Sequence, residues 1–461
     1  MLKVKHCFAL IESWLGTMAW FDWMYSSLLM AVLVVGSPYW LVRMATSGRY
    51  RAGLWGRLGR VPRELVAWRA AAGARVVWVH AVSVGEVLVA ARLIEESQRV
   101  RPELRFAVST TTKTGQELAR KRLPDCVPNA CGVFYLPLDF GWAVRRYLKV
   151  LGPDMLLLVE SELWPNLLAE CRRAGVPVAV ANARISDRSF PRYMKLRGLW
   201  RPLLAQMRVF LAQSEETGER LRAIAGQSLS GRVVVTGNVK YDARVSGESR
   251  VAELIREAAA GRPVVVAGST VEGKPVQEEE LVMRAMGRVW ETMPEVLLVL
   301  APRHPDRFGY ARSLATEHGV TSATELLAGK AVPAAGRQTI LLDTIGDLAA
   351  VYGVADVAFV GGSLVKSGGH NPLEPARFGV PVVTGGSYEN FREIVERMRA
   401  AEGIRLVADA TGLGDGLVGL LRDRGGARAL GERGRQVFEA QQGATARTVA
   451  ALLALLPGEG R

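Results

Sequence analysis

Residues 75–99 read RVVWVHAVSVGEVLVAARLIEESQR. A valine-rich run ends at His80, a short turn follows, and from Val87 to Arg99 the apolar residues fall at helical spacing. A mostly apolar strand that feeds straight into an amphipathic helix is the unit of a parallel sheet covered on both faces. Outward from this stretch the same alternation repeats. Strands are predicted over Arg105–Ser109, Met155–Glu160, Val176–Asn182, Val209–Gln213 and Val233–Gly237, with helical stretches such as Trp164–Ala174 between them. Residues 239–262 turn polar and charged and read as an interdomain linker. The alternation resumes at Pro263–Gly268, Val296–Ala301, Thr339–Asp343, Val357–Gly361, Val380–Thr384 and Ile404–Ala408. The predicted fold class is therefore α/β, with two doubly wound, Rossmann-like domains over 43–238 and 263–461. Open α/β sheets bind ligands at the carboxyl ends of their strands, so a cleft between two such edges is expected.

Size and composition fit this reading. The chain has 461 residues, of which 49% are hydrophobic, enough for two cores and too many for a disordered chain. A net charge of +14 predicts an anionic partner: phosphorylated small molecules, nucleic acid or an acidic membrane surface. No arginine-rich arm, zinc-finger spacing or aromatic RNA-binding signature occurs, which argues against nucleic acid. Cys7, Cys126, Cys131 and Cys171 form no CxxC pair, so neither zinc nor redox chemistry finds support and a reducing compartment is expected. There is no HExxH, Walker lysine loop or GxSxG, and no metal site is predicted.

From Trp23 to Leu41 runs WMYSSLLMAVLVVGSPYWL, without a charge between Asp22 and Arg43. That is close to the ~20 apolar residues needed to cross a bilayer. Arg43, Arg49, Arg51, Arg57 and Arg60 follow, which would keep the remainder on the cytoplasmic side. Trp20, Trp23, Tyr39 and Trp40 stand where an interfacial aromatic belt would. Pro38 and the Ser26-Ser27 pair weaken a spanning helix, leaving an anchor that lies in the interface as the alternative. A secretory signal fits less well, because Glu12 and Asp22 precede the apolar run. Residues 24–42 are thus expected to form a membrane anchor, preceded by an N-terminal extension, 1–23.

Polar residues gather where predicted strands end. Glu86 stands near a helix N-terminus, either as a base or as a carboxylate that stabilises its helix; the helix dipole would favour its ionised form. His80 reads as a hydrogen-bonded packing residue. Glu160-Ser161-Glu162 brings further carboxylates to the same edge, and Asn182-Ala183-Arg184 adds polar groups. Lys240 alone reads as a solvated linker lysine. In the second half, Arg303 follows a strand, and GGSLVKSGGHNPLEPA from Gly361 leaves another and enters a helix bearing Asn371 and Glu374. Backbone N–H groups of such a glycine-rich loop can cradle a phosphate, and a first-turn carboxylate can bind the hydroxyls of a ribose. A nucleotide site is expected there.

Taken together, HAVSVGE (from His80), ESELWPNL (from Glu160), ANARIS (from Ala181), TGNVKYD (from Thr236), APRHPDRF (from Ala301), DTIGDLAAVYGVADVAFVGGSL (from Asp343) and GGHNPLEPA (from Gly368) closely resemble the Kdo (3-deoxy-D-manno-octulosonic acid) transferases of Gram-negative bacteria. The resemblance spans nearly the whole chain from about Met24. It implies a GT-B glycosyltransferase with an N-terminal anchor, CMP-Kdo as donor substrate, no cofactor and no metal. The implied acceptor is lipid IVA, at the cytoplasmic face of the inner membrane. It further implies Glu86 as general base, with Glu160 and Lys240 stabilising the transition state. The implied CMP contacts are Pro302, Arg303, Ile345, Gly346, Asp347, Asn371, Pro372, Leu373 and Glu374. Three features depart from the family pattern: residues 1–23 precede its usual start, Asp347 replaces a glutamate, and the loop VEGKPVQEEE after Thr270 is long.

Overall fold

The computed structural model describes residues 23–40, 42, 43, 46, 53–73, 75–160, 162–229, 231–242, 249–332 and 336–456. Residues 1–22 of the extension with Cys7, Arg49, Arg51, Ser161 and residues 243–248 of the linker lie outside the described residues. The chain divides into two compact units, Met1–Asp242 with Gly443–Arg461, and Ala243–Gln442.

The first unit is built on seven parallel strands: β1 (Val76–His80), β2 (Arg105–Thr110), β3 (Cys131–Tyr135), β4 (Met155–Val159), β5 (Val178–Ala183), β6 (Val209–Ala212) and β7 (Val233–Val235), in the order β3-β2-β1-β4-β5-β6-β7. Every residue of β1 and β4 is buried, which is why their sequences lack the alternation of a half-exposed strand. One face packs Trp78, Leu156 and Phe210, and the other Val77, Val79 and Leu157. In the second unit β8 (Val264–Thr270), β9 (Leu297–Pro302), β10 (Val320–Ser322), β11 (Gln338–Leu341), β12 (Val357–Val360), β13 (Val382–Thr384) and β14 (Arg405–Leu406) form another parallel sheet, ordered β10-β11-β9-β8-β12-β13-β14. Twelve of these strands coincide with predicted ones. The two that do not, β3 and β10, are edge strands: one is only alternately buried and the other has three residues.

Strand order reverses between β1 and β4 in the first unit and between β8 and β12 in the second. In open α/β sheets the crevice at such a reversal is where ligands bind.

The unit boundaries differ from the predicted domains. Residues 239–262 are not a linker throughout. Val239–Asp242 forms a 3-10 turn of the first unit, whereas the helix Arg250–Ala259 buries Val251, Ala252, Ile255 and Ala259 in the core of the second. Nor does the second unit keep the C-terminus. The helix Ala444–Leu453 buries Val449 and Leu452, with Leu456, in the first unit's core. The Asp242 carboxylate accepts from Gly443 N–H (2.8 Å) and Thr445 N–H, and Arg447 Nε donates to the Thr236 carbonyl at 3.0 Å. A charged, amphipathic run reads as a linker in sequence because only its tertiary partner reveals which face is buried.

Residues 23–40 are helical. One side docks on the first unit, where Ser26 Oγ donates to Asn166 Oδ1 at 3.1 Å and Tyr25 lies against Asp139. The rest leaves Leu28 (63%), Val32 (56%) and Val35 (81%) exposed. A groove of about 910 Å³ separates the helix from Phe140–Trp142, Arg145, Glu170 and Arg173. Among the described residues no helix is long and apolar enough to cross a membrane.

Candidate active site

Glu86 and Glu160 leave the two strands that flank the reversal in the first unit. Ser83 stands at the N-cap position of the helix Val84–Val100 without a side-chain capping bond, and Glu86 occupies the first turn, 7% exposed. Its carboxylate accepts from Val82 N–H (2.8 Å) and Ser83 Oγ (2.7 Å). Of the two sequence readings of Glu86, the structure shows the one in which the carboxylate ties down its helix N-terminus, and it does so from a nearly dry position. The helix-dipole reasoning expected a carboxyl held low. Instead, burial pushes it above the usual carboxylate range; the bonds from Ser83 and Val82 only partly offset this, and Glu160 adds to the rise.

Glu160 follows the last residue of β4 with φ of +63°, a left-handed conformation that costs a non-glycine residue about 1–2 kcal/mol. Its amide donates to the Ala181 carbonyl at 2.9 Å, so the neighbouring strand holds the strain in place. Lys240 Nζ lies 2.7 Å from Glu160 Oε1. The solvated-linker reading of Lys240 is thus replaced by an ion pair at the site. Three contacts deliver it there. The fully buried Asn182, itself left-handed (φ +54°), accepts Val239 N–H on Oδ1 at 3.0 Å. Arg92 donates to the Val239 and Lys240 carbonyls at 2.9 and 3.1 Å. Asp242 closes the turn from the other end.

Glu162 joins this group. Its carboxyl is raised by burial first, then by Glu86 and Glu160. Three carboxylates and one ammonium at the carboxyl edge form a cluster suited to accepting a proton, with one negative charge neutralised. His80, wholly buried, is the packing residue the sequence predicted. Its Nδ1 lies 3.1 Å from the Ser109 carbonyl, and burial lowers its pKa to about 4.

In the second unit Arg303 follows β9, its amide donating to the Thr270 carbonyl at 2.8 Å and its side chain exposed. Glu374 lies in the first turn of the helix Leu373–Ala376. Burial raises its carboxyl, while Arg303 and a hydrogen bond with Asn371 counter the rise. Asn371 Oδ1 accepts Leu373 N–H at 3.2 Å. Tyr352 is fully buried and feels both Glu374 and Arg303. The close approach of its hydroxyl requires glycine at 268, where a Cβ would be 2.1 Å from the oxygen. Pro302, Pro372 and Leu373 are buried. Ile345 is 83% exposed, Gly346 has φ of +101°, and Asp347 Oδ1 accepts from Ser249 Oγ at 2.8 Å.

One expectation is corrected here. The N–H groups of Gly362, Ser363 and Leu364 do not offer a phosphate cradle, because the carboxylate of Glu278 already accepts all three, at 2.6–3.0 Å. The sequence reading singled out the glycines but not Glu278, eighty-odd residues earlier. Arg92 was likewise not marked; Asn182, Glu162 and Asp242 were read only as polar groups at strand ends, without roles.

The profile of the family described as 3-Deoxy-D-manno-octulosonic-acid transferase (kdotransferase) matches residues 52–243. The 3-deoxy-D-manno-octulosonic acid transferase of Haemophilus influenzae is 34% identical over 378 residues, covering 80% of this chain and 85% of that protein. That of Bordetella pertussis is 34% identical over 427 residues, covering 90% and 94%. Among solved structures, the UDP-GlcNAc 2-epimerase from Neisseria meningitidis superposes with a TM-score of 0.56 at 14% identity, over 83% of this chain and all of that one. That likeness is one of fold.

Proposed function

Because the chain belongs to the Kdo transferase family, we propose that it is an inverting, GT-B type glycosyltransferase that moves Kdo from CMP-Kdo onto lipid IVA in lipopolysaccharide biosynthesis. The observation that carries this reading is the buried Glu86, with its raised pKa, beside the Glu160–Lys240 pair. In the proposed reaction an acceptor hydroxyl attacks the anomeric carbon of Kdo and gives its proton to Glu86. The bond from that carbon to the phosphate oxygen breaks, and CMP departs with the electron pair. A base must be desolvated enough to want the proton yet ionised at the working pH, and burial opposed by two hydrogen bonds suits that compromise. Lys240, held by Glu160, would stabilise the transition state. Arg303, Asn371 and Glu374, with Pro302, Pro372, Leu373 and the Ile345–Asp347 turn, would hold the nucleotide.

Residues 23–40 would attach the enzyme to the cytoplasmic face of the inner membrane. Their exposed apolar side chains and the chain's net charge of +14 support attachment, and a helix lying in the interface suits them better than a spanning one. Transfer of labelled Kdo from CMP-Kdo to lipid IVA by the purified chain tests the proposal. Release of CMP without a Kdo-bearing lipid product, or no reaction with this donor, would defeat it.

A further inference from the structure

Glu278, Glu279 and Glu280 open the helix Glu278–Thr292, and the first two are fully buried. Glutamates in a first helical turn ordinarily face solvent, and a buried carboxylate is costly unless donors meet its oxygens. Glu279 takes a two-pronged bond from Arg307 (2.9 and 2.6 Å) and one from Thr270 Oγ1 (3.1 Å). Glu278 is met by backbone instead. Ser363 and Leu364 N–H donate to Oε1 at 2.9 and 3.0 Å, and Gly362 and Val271 N–H to Oε2 at 2.6 and 3.1 Å. Three consecutive N–H groups converging on one anion is how a glycine-rich loop holds a phosphate. Here the chain's own carboxylate fills the nest, bridging the loop after β8 to the turn after β12.

That turn carries the next segment. Gly362 C=O accepts Gly369 N–H at 2.8 Å, and Gly361 C=O accepts His370 N–H at 3.2 Å. There is little slack, since a Cβ on Gly361 would stand 2.7 Å from the Ser269 carbonyl oxygen. Asn371 and Glu374 come directly after.

We propose that Glu278 is a positioning residue for donor binding: it fixes the Gly361–Leu364 turn, and through Gly369 and His370 it aims Asn371 and Glu374. This rests on the reading of Asn371 and Glu374 as nucleotide contacts. A glutamine at 278 would offer one acceptor oxygen where two now serve four donors, so the turn loses part of its anchorage.

The test is calorimetric titration of the full chain with CMP, together with donor and acceptor KM. Glu278→Gln is expected to weaken CMP at least tenfold and to raise the donor KM while leaving the acceptor KM unchanged; Glu278→Asp should fall between it and the unaltered protein. Val282→Ala, a core truncation on the same helix, should lower stability without moving CMP affinity. Glu278→Gln binding CMP within twofold of the unaltered protein, while Arg303→Ala weakens it, would overturn the inference and leave the donor site standing. Equal weakening by Val282→Ala would reduce the effect to general destabilisation and also overturn it. No change from either Arg303→Ala or Glu278→Gln would remove the donor-site reading itself. Should Glu278→Gln not fold, hydrogen exchange of the unaltered chain decides: amides 362–364 should be as protected as those of β12, and fast exchange there would overturn the inference.

Discussion

Lys240 Nζ stands 2.7 Å from Glu160 Oε1, although eighty residues of sequence separate the two. Both side chains are partly exposed, so the pair contributes no more than about 1 kcal/mol to stability. Its consequence is electrostatic: it neutralises the Glu160 carboxylate, whose charge raises the carboxyls of Glu86 and Glu162.

Removing the cation should therefore be visible at Glu86. In Lys240→Met the unneutralised Glu160 charge disfavours ionisation of Glu86, so the acid limb of the kcat/KM profile should move to higher pH. A limb that stays, or moves lower, would remove Lys240 from the electrostatics of the base.

Glu86→Gln keeps the shape of the side chain and ends its ability to take a proton. Transfer should slow by about a hundredfold or more with little change in CMP affinity. In the unaltered enzyme the acid limb should lie above the ordinary carboxyl value of 4.5, because burial and Glu160 both raise Glu86. Near-normal turnover of Glu86→Gln would leave only helix capping as its role.

Arg303→Ala should weaken CMP by about 1.5–3 kcal/mol, the range for a lost hydrogen bond to a charged group. Its side chain is exposed, so the thermal midpoint should barely move. Unchanged CMP affinity would take Arg303 out of the site.

His80 predicts a pH dependence of stability. Its folded pKa, about 4, lies below the unfolded 6.5, so the unfolded state takes up a proton first as the pH falls. The contribution is fully present above 6.5 and is lost progressively toward pH 4, in all about 3 kcal/mol. Denaturant unfolding at several pH values should show this slope, and His80→Gln should lack it. Identical slopes would contradict a neutral buried His80.

Substituting the exposed Val32 and Val35 by serine should leave CMP binding intact and lower affinity for anionic phospholipid vesicles at least tenfold in a sedimentation assay. Undiminished vesicle binding would place membrane attachment elsewhere.

Much of the site was legible before folding because its residues sit at strand ends. Apolar runs mark the strands, a parallel sheet puts all their carboxyl ends on one edge, and so Glu86, Glu160 and Glu162 had to meet in the first unit. Likewise Arg303 and Glu374 had to share an edge in the second. Strand β3 escaped because it is only alternately buried, and β10 because its three residues form no apolar run, unlike the comparably short β7 and β14.

Local sequence thus determined the alternation of strand and helix, since burial on both faces of a parallel sheet is written directly into runs of valine and leucine. It also determined which polar groups stand at strand ends. Tertiary contacts decided the rest. Whether Lys240 faces solvent or Glu160 depends on Asn182 and Arg92, and on the bonds from Gly443 and Thr445 to Asp242, all remote in sequence. Whether the glycine-rich turn is open to a phosphate depends on a glutamate from another strand's loop. Whether Glu86 is held low by its helix or raised by burial depends on how much water the folded surroundings exclude. Hydrogen-bonding capacity belongs to the residues themselves, but desolvation belongs to the assembled structure, and in this protein it outweighs the hydrogen bonds made to Glu86.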